Sequence, residues 1–296
     1  MHLGNARTAL LAWLDARARG GRVLLRVEDL DRDRCRPEFA DGIREDLRWL
    51  GMDWDAETPP QSTREPAYRE AVGRLERDGL AYECFCTRRE LAVASAPHGK
   101  ADPAPCPRRC RDLPAAEREA LRLEGRRAAL RVRMPAGNVT IADRVHGAVS
   151  VPMGGDPVIR RSDGLHAYQL AVVVDDAADG VTDVVRGDDL LASSGTQLTL
   201  AGMLGVPPVG YAHVPLVLGP DGERLAKRHG AVTIAELRDA GITARGLVGT
   251  LAESYGLGHG SPVSPAELVG GFDIATIRRS PWRVSEAVSA DGSTGQ

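Results

Sequence analysis

Residues 5–31 constrain the fold more than any other stretch of this chain. Asn5 to Arg19 places Ala6, Leu10, Trp13 and Leu14 at helical spacing and stops at Gly20-Gly21, a common helix C-terminal signal. A β-branched and apolar run, Val23-Leu24-Leu25-Arg26-Val27, comes next and ends in Glu28-Asp29. That is the pattern of a buried parallel strand with acids at its carboxyl end. Helix then strand is the second half of a βαβ unit, and a parallel strand reaches its neighbour by a right-handed crossover. Because so few residues precede the helix, the chain reads as starting in mid-motif, with its first strand expected to be missing.

Further along, Glu38 to Leu50 and Glu65 to Asp78 predict two more helices, the first with Phe39, Ile43, Leu47 and Leu50 on one face. The stretch from Ser95 to Pro114 is rich in Pro, Gly, Lys and Arg and has no periodicity. Strand-like runs return at Leu170 to Val174, Val181 to Val185 and His213 to Leu218, with a helix from about Gly195 to Leu204. The expected architecture is α/β: a Rossmann-like, doubly wound parallel sheet over 1–79 and 136–235, interrupted at 80–135 by a cysteine-bearing insertion. A C-terminal helical region (236–285) and a disordered tail (286–296) complete the expectation. A length of 296 residues excludes a single small module, and 43% hydrophobic with 27% charged residues excludes a disordered chain. No apolar run approaches the roughly 18 to 20 residues that span a bilayer, and Met1 to Arg7 shows no secretory leader. The expectation is a cytoplasmic monomer without a membrane partner.

Four of the five cysteines, Cys84, Cys86, Cys106 and Cys110, fall within 27 residues as C-x-C and C-x3-C pairs. Four thiolates about 2.3 Å from a tetrahedral ion make a closed structural zinc site, and such crowding in a cytoplasmic chain suits metal better than unliganded thiols. Cys35 fits no ligand pattern. Net charge is −3, yet Cys106 to Arg133 holds nine arginines against four acids. Both a local basic face and a solvated, ion-paired helix fit that distribution.

Two further motifs point to phosphate chemistry. His2-Leu3-Gly4-Asn5 lies at the start of a helix, where free N–H groups and the helix dipole attract phosphate and Gly4 lets a ligand approach the backbone. Gly219 to Arg228 follows a strand and carries the basic run Arg224-Leu225-Ala226-Lys227-Arg228. A lysine on such a loop can follow charge developing on a transferring phosphoryl group.

Taken in order, HLGNARTALL (2–11), RVEDLD (26–31), LHAYQLAVVVD (165–175), VVRGDDL (184–190) and RLAKR (224–228) resemble the glutamyl-tRNA synthetase family of class I aminoacyl-tRNA synthetases along nearly the whole chain. The resemblance is greatest to its shortened members, which attach glutamate to the queuosine base of tRNA(Asp), because fewer than seventy residues follow Lys227 and no anticodon-binding region is expected. It implies ATP, L-glutamate and queuosine-containing tRNA(Asp) as partners, Mg²⁺ with ATP, and one structural Zn²⁺ on the four cysteines, Cys106 standing where relatives can have a tyrosine. It implies that His2, Gly4 and Lys227 serve ATP, with His2 and Lys227 catalytic. Glu28 is implied to hold the α-ammonium of glutamate, and Tyr168 and Arg186 to line the amino-acid pocket. The competing readings are a turn acid for Glu28, a core residue for Tyr168, and an ion pair of Arg186 with Asp188 or Asp189.

Three departures from the family pattern stand out. Asn5 ends the first motif in place of a second His, and Arg224 and Ala226 replace the usual Lys and Ser of the basic loop. The opening strand and its Pro-Ser-rich turn, which supply another Arg and Ser to the pocket, are not found ahead of the first helix. The expectation is that Met1 is internal and that the natural chain starts roughly ten to twenty residues earlier, one strand plus its turn.

Overall fold

The structure, a computed structural model, describes residues 1–31, 35–87, 108–219, 221–225, 233–258 and 260–284. Helix α1 (Leu3–Ala18) leads into β1 (Leu24–Arg26), and α2 (Pro37–Trp49) then crosses to β2 (Ala56–Thr58). The two strands are parallel, Leu24 opposite Ala56 and Arg26 opposite Thr58. The parallel neighbour that β1 requires is therefore β2, downstream; three residues with one half-buried face are too few to announce a strand. Helix α3 (Glu65–Arg77) follows.

A second sheet is three-stranded and antiparallel, in the order β3 (Ala81–Cys84), β4 (Ala129–Val132), β7 (Val158–Arg160), with α4 (Ala115–Leu123) between β3 and β4. A third runs β6 (Gly147–Pro152), β5 (Asn138–Asp143), β9 (Gly210–Val214), β8 (Asp183–Gly187). Strands β8 and β9 are parallel and joined through α6 (Leu191–Leu204), β5 meets β9 in parallel at Asp143, and β6 is an antiparallel edge. The short strands β10 (Val217–Leu218) and β11 (Trp282–Arg283) pair in parallel. Helices α7 (Ile234–Asp239), α8 (Ala244–Ser254) and α9 (Pro265–Leu268) precede β11 at the end of the described chain.

The run Leu170 to Val174, expected as a strand, lies inside helix α5 (Tyr168–Asp179). Five apolar residues fit a buried helix as well as a strand. The acids beyond the run decide it: Asp175, Asp176 and Asp179 continue the helix and turn toward Arg26, Arg64 and Tyr68. Leu170 to Val173 meanwhile pack with Val72 and Leu75 of α3 and Leu200 and Leu204 of α6. Gly180, at φ 69°, closes the helix in the left-handed conformation that glycine adopts without strain. A second correction concerns α2, where Phe39 is 60% exposed and Ile43 39% exposed, although Leu47 and Leu50 pack inward.

The other core gathers Leu3, Leu10 and Leu14 of α1 with Val214, Val217, Leu247, Leu251 and Tyr255, so the C-terminal helices are buttressed directly against α1. Among the described residues no helix is long and apolar enough to cross a membrane. The tail expected at 286–296 lies outside the described residues.

Candidate active site

His2 is the extended residue that caps α1; its carbonyl accepts the backbone N–H groups of Asn5 and Ala6. Gly4 follows half-buried in the first turn, and a β-carbon there would touch the His2 ring and Val217 only at ordinary distances of 3.6 to 3.8 Å. The bare backbone therefore leaves room beside the helix N-terminus. That space is a cavity of about 340 Å³ bounded by α1, the end of β8 and the β9–β10 turn, with His2, Gly4, Arg7, Gly187, Asp189 and Arg224 on its walls. Gly187 is fixed by the same wall, since a β-carbon would lie 2.6 Å from Asp189 Oδ1 and 2.9 Å from Leu216 Cδ2.

Arg7, which pattern alone did not single out, is 1% exposed. Its guanidinium donates to Ser254 Oγ (2.7 Å) and the Pro215 carbonyl (2.5 Å) and lies 3.5 Å over the Tyr255 ring. It pins α1 to the strand turn and to α8 at once. Burial lowers its pKa to about 10. The signal for it lies in its place one turn beyond His2, on the face that Leu3 and Leu10 bury.

Lys227 lies outside the described residues. The chain on either side of that segment is described. Leu218 bridges Arg224, Leu225 lines the cavity, and Thr233 forms an antiparallel bridge with His2. One end of the segment thus lines the cavity and the other pairs with His2 on its wall.

A second group converges from three elements. Glu28 follows β1, Tyr168 opens α5 and Arg186 lies on β8. The Tyr168 hydroxyl is pushed upward in pKa by burial and by the Glu28 carboxylate, while Arg186 acts in the opposite sense, so all three share one field. The aromatic ring is 37% exposed, not core. The Glu28 side chain keeps 42% of its surface exposed; partial desolvation of its carboxyl still raises its pKa, with Arg26 opposing the shift and Asp176 adding to it. Asp29 is the turn acid of the pair, accepting from the Ser62 N–H (2.8 Å) and hydroxyl (2.6 Å), whereas the Glu28 carboxylate lies 3.5 Å from Arg26 Nη2. Behind it, Arg26 bridges Asp176 (2.7 Å) and Asp179 (3.0 Å), clamping the end of β1 to α5.

Arg186 is 8% exposed and pairs with neither Asp188 nor Asp189; Asp189 takes Arg224 instead. Its Nε donates to His213 Nε2 (3.2 Å) and its Nη2 to Ser194 Oγ (2.7 Å) and to the Leu190 carbonyl (3.4 Å). The group lies 4.8 Å over the Tyr211 ring. Among the described residues no carboxylate forms an ion pair with it. A buried cation of this kind is suited to an anionic ligand.

The cysteines form a separate centre. Cys84 ends β3, and its sulfur lies within 4.8 Å of those of Cys86 and Cys110. Cys86 and Cys110 are 3.7 Å apart, sulfur to sulfur, close to the roughly 3.8 Å separating thiolates on a tetrahedral zinc ion at 2.3 Å. The three sulfurs fit such an ion. Tyr82, Phe85 and Leu113 enclose them, and Arg108 takes a left-handed backbone (φ 58°) two residues before Cys110. Cys106 lies outside the described residues, and Cys35 stands away from the cluster with its thiol near the Glu28 carbonyl.

Residues 1–254 match the family model of the tRNA synthetases class I (E and Q), catalytic domain. Two similar curated proteins are the Glutamyl-Q tRNA(Asp) synthetases of Symbiobacterium thermophilum and Nocardia farcinica. The first is 49% identical, covering 98% of this chain and 94% of the relative. The second is 52% identical, covering 97% and 90%. Among solved structures, a glutamate tRNA ligase from Elizabethkingia meningosepticum in complex with its amino acid superposes with a TM-score of 0.82 at 27% identity. It covers 98% of this chain, which spans 65% of that longer one.

Proposed function

The chain belongs to the class I aminoacyl-tRNA synthetases of the glutamate and glutamine group, and on that premise we propose that it activates L-glutamate with ATP and transfers it to the queuosine base of tRNA(Asp). A glutamate carboxylate oxygen attacks the α-phosphorus of ATP, the bond to the departing pyrophosphate breaks, and glutamyl adenylate forms. A hydroxyl of the queuosine ring then attacks the acyl carbon, and AMP leaves. Neither step needs a covalent enzyme nucleophile; positioning and charge stabilisation suffice.

In this reading the α1 N-terminus, with His2 and Gly4, receives the ATP phosphates, and Lys227 neutralises the charge that grows on them. Glu28 takes the α-ammonium of glutamate, and Tyr168 and Arg186 take a carboxylate. Mg²⁺ would accompany ATP and screen its phosphates. Zn²⁺ on Cys84, Cys86, Cys106 and Cys110 would hold the insertion together in place of a larger hydrophobic core. The catalytic sheet over 1–79 and 136–235, the insertion at 80–135 and the helices at 236–285 are the units we assign.

The observation that carries the reading is Arg186, a buried guanidinium with no carboxylate partner among the described residues, sharing one field with Glu28 and Tyr168. An anion on one side and a cation on the other is what a zwitterionic amino acid with an acidic side chain requires. Glutamate-dependent ATP–pyrophosphate exchange tests it: exchange above background with glutamate supports the assignment, and none from folded protein contradicts it. The acceptor is supported by the names of the similar proteins from Symbiobacterium and Nocardia.

A further inference from the structure

Strands β8 and β9 place Arg186 directly opposite His213. Behind that pair runs a chain of buried polar groups. His213 and Ser194 are both 0% exposed, and Asp143 is 4% exposed. Ser194 Oγ lies 2.9 Å from His213 Nε2, and His213 Nδ1 lies 2.6 Å from Asp143 Oδ2. The order Ser–His–Asp resembles a hydrolytic triad, but it cannot act as one: no atom of Ser194 or His213 reaches solvent, and Ser194 Oγ already accepts from Arg186 Nη2.

Asp143 decides the proton positions. It accepts from the backbone N–H groups of Val145, His146 and His213, each at 2.9 Å, besides the imidazole. Burial alone would raise its pKa; those hydrogen bonds lower it and keep it a carboxylate. A carboxylate at Nδ1 requires a proton there, and burial together with the nearby Arg186 charge disfavours a second proton on the ring. Nε2 is then a bare acceptor aimed at Arg186. Tyr211 stacks on His213 with ring centroids 5.5 Å apart and underlies the Arg186 guanidinium, which holds both planes in place.

We propose that Asp143, His213 and Ser194 are positioning residues that orient Arg186 through neutral acceptors alone, leave it without a directly paired carboxylate, and thereby set a preference for glutamate over glutamine. A protein carboxylate in the same place would neutralise the guanidinium, and a neutral amide side chain would then compete. With neutral partners behind it, Arg186 gains from a substrate carboxylate what it cannot gain from an isosteric amide. Nε and Nη2 carry the contacts to the relay, and Nη1 donates to no described residue.

This rests on the reading that Arg186 receives a glutamate carboxylate, and the test separates the two. Exchange kinetics on the full chain are measured for Arg186→Ala, Ser194→Ala, His213→Phe and His213→Gln, with melting temperatures alongside. Ser194→Ala and His213→Phe are expected to raise KM for glutamate on the order of 10-fold, the scale for leaving a buried charged donor unpaired. KM for ATP should stay within twofold, and the glutamate-to-glutamine ratio should fall. His213→Gln, which restores an acceptor near Nε2, is expected to recover part of the loss. If Arg186→Ala raises KM for glutamate but Ser194→Ala and His213→Phe do not, the relay is wrong and the pocket stands. If Arg186→Ala itself has no effect, the pocket assignment fails and the relay with it. Should a variant not fold, ¹⁵N resonances of the His213 ring in the unaltered protein decide: a proton on Nδ1 and none on Nε2 is expected, and a protonated Nε2 overturns the proposal.

Discussion

His2 and Thr233 form an antiparallel bridge, so the residue that caps α1 is tied to the residue that ends the segment carrying Lys227. Thr233 is itself the cap of α7, exchanging hydrogen bonds with Glu236 in a reciprocal capping box. His2 and Gly4 of the first motif and Arg224 and Leu225 of the basic run, more than two hundred residues apart in sequence, line one cavity. Lys227→Ala should lower glutamate-dependent exchange by roughly 10²-fold or more, the scale for losing one transition-state donor, with an unchanged melting temperature. Near-normal exchange in that variant would remove Lys227 from the mechanism.

Gly187→Ala should weaken ATP binding. Its β-carbon would meet the side-chain tips of Asp189 and Leu216 at 2.6 and 2.9 Å, which must turn aside and so move the cavity wall, at the low end of overpacking costs, about 1 kcal/mol. The expected result is a KM for ATP raised several-fold and a lowered melting temperature, with KM for glutamate less affected.

Glutamate binding should fall off with acid earlier than an ordinary carboxylate allows. Glu28 must be charged to hold an ammonium, and burial raises its pKa, so protonation begins at a higher pH than for a free glutamate side chain. As pH falls, KM for glutamate should rise, with its inflection displaced upward from that of a free glutamate side chain. Glu28→Gln should abolish that inflection and raise KM at all pH values. A pH profile identical in Glu28→Gln and the unaltered protein would reject the assignment.

One zinc ion per chain is expected in protein purified without chelators, measured by elemental analysis. Cys84→Ser should lower the zinc content and destabilise the β3–β4 layer, because Cys84 pairs with Ala129 across these antiparallel strands and is buried beside Phe85 and Cys110. Absence of zinc from the unaltered protein would contradict the site.

Much of this arrangement was legible because its determinants are local. Helix α1 follows from apolar spacing over whole turns, α2 only in its second half, where Leu47 and Leu50 pack inward, and the C-x-C and C-x3-C pairs place three sulfurs together because β3 and the Cys110 turn share one small core. Leu170 to Val174 misled because a run of five apolar residues has no period of its own; only the acids after it, satisfied by Arg26 and Arg64, show the helix. Ala56–Thr58 escaped notice because a three-residue strand carries almost no pattern. The partners of Arg186 were invisible for another reason. Asp143 and His213 are seventy residues apart, and nothing near either one signals that two parallel strands will bring them into contact.

The central claim is the acceptor. Incorporation of radiolabelled glutamate, with ATP and Mg²⁺, is to be compared on tRNA(Asp) containing queuosine, the same tRNA lacking it, and tRNA(Glu). Glutamate is expected on the queuosine-containing tRNA(Asp) alone. Equal labelling with and without queuosine, or transfer to the 3′ end of tRNA(Glu), would contradict it.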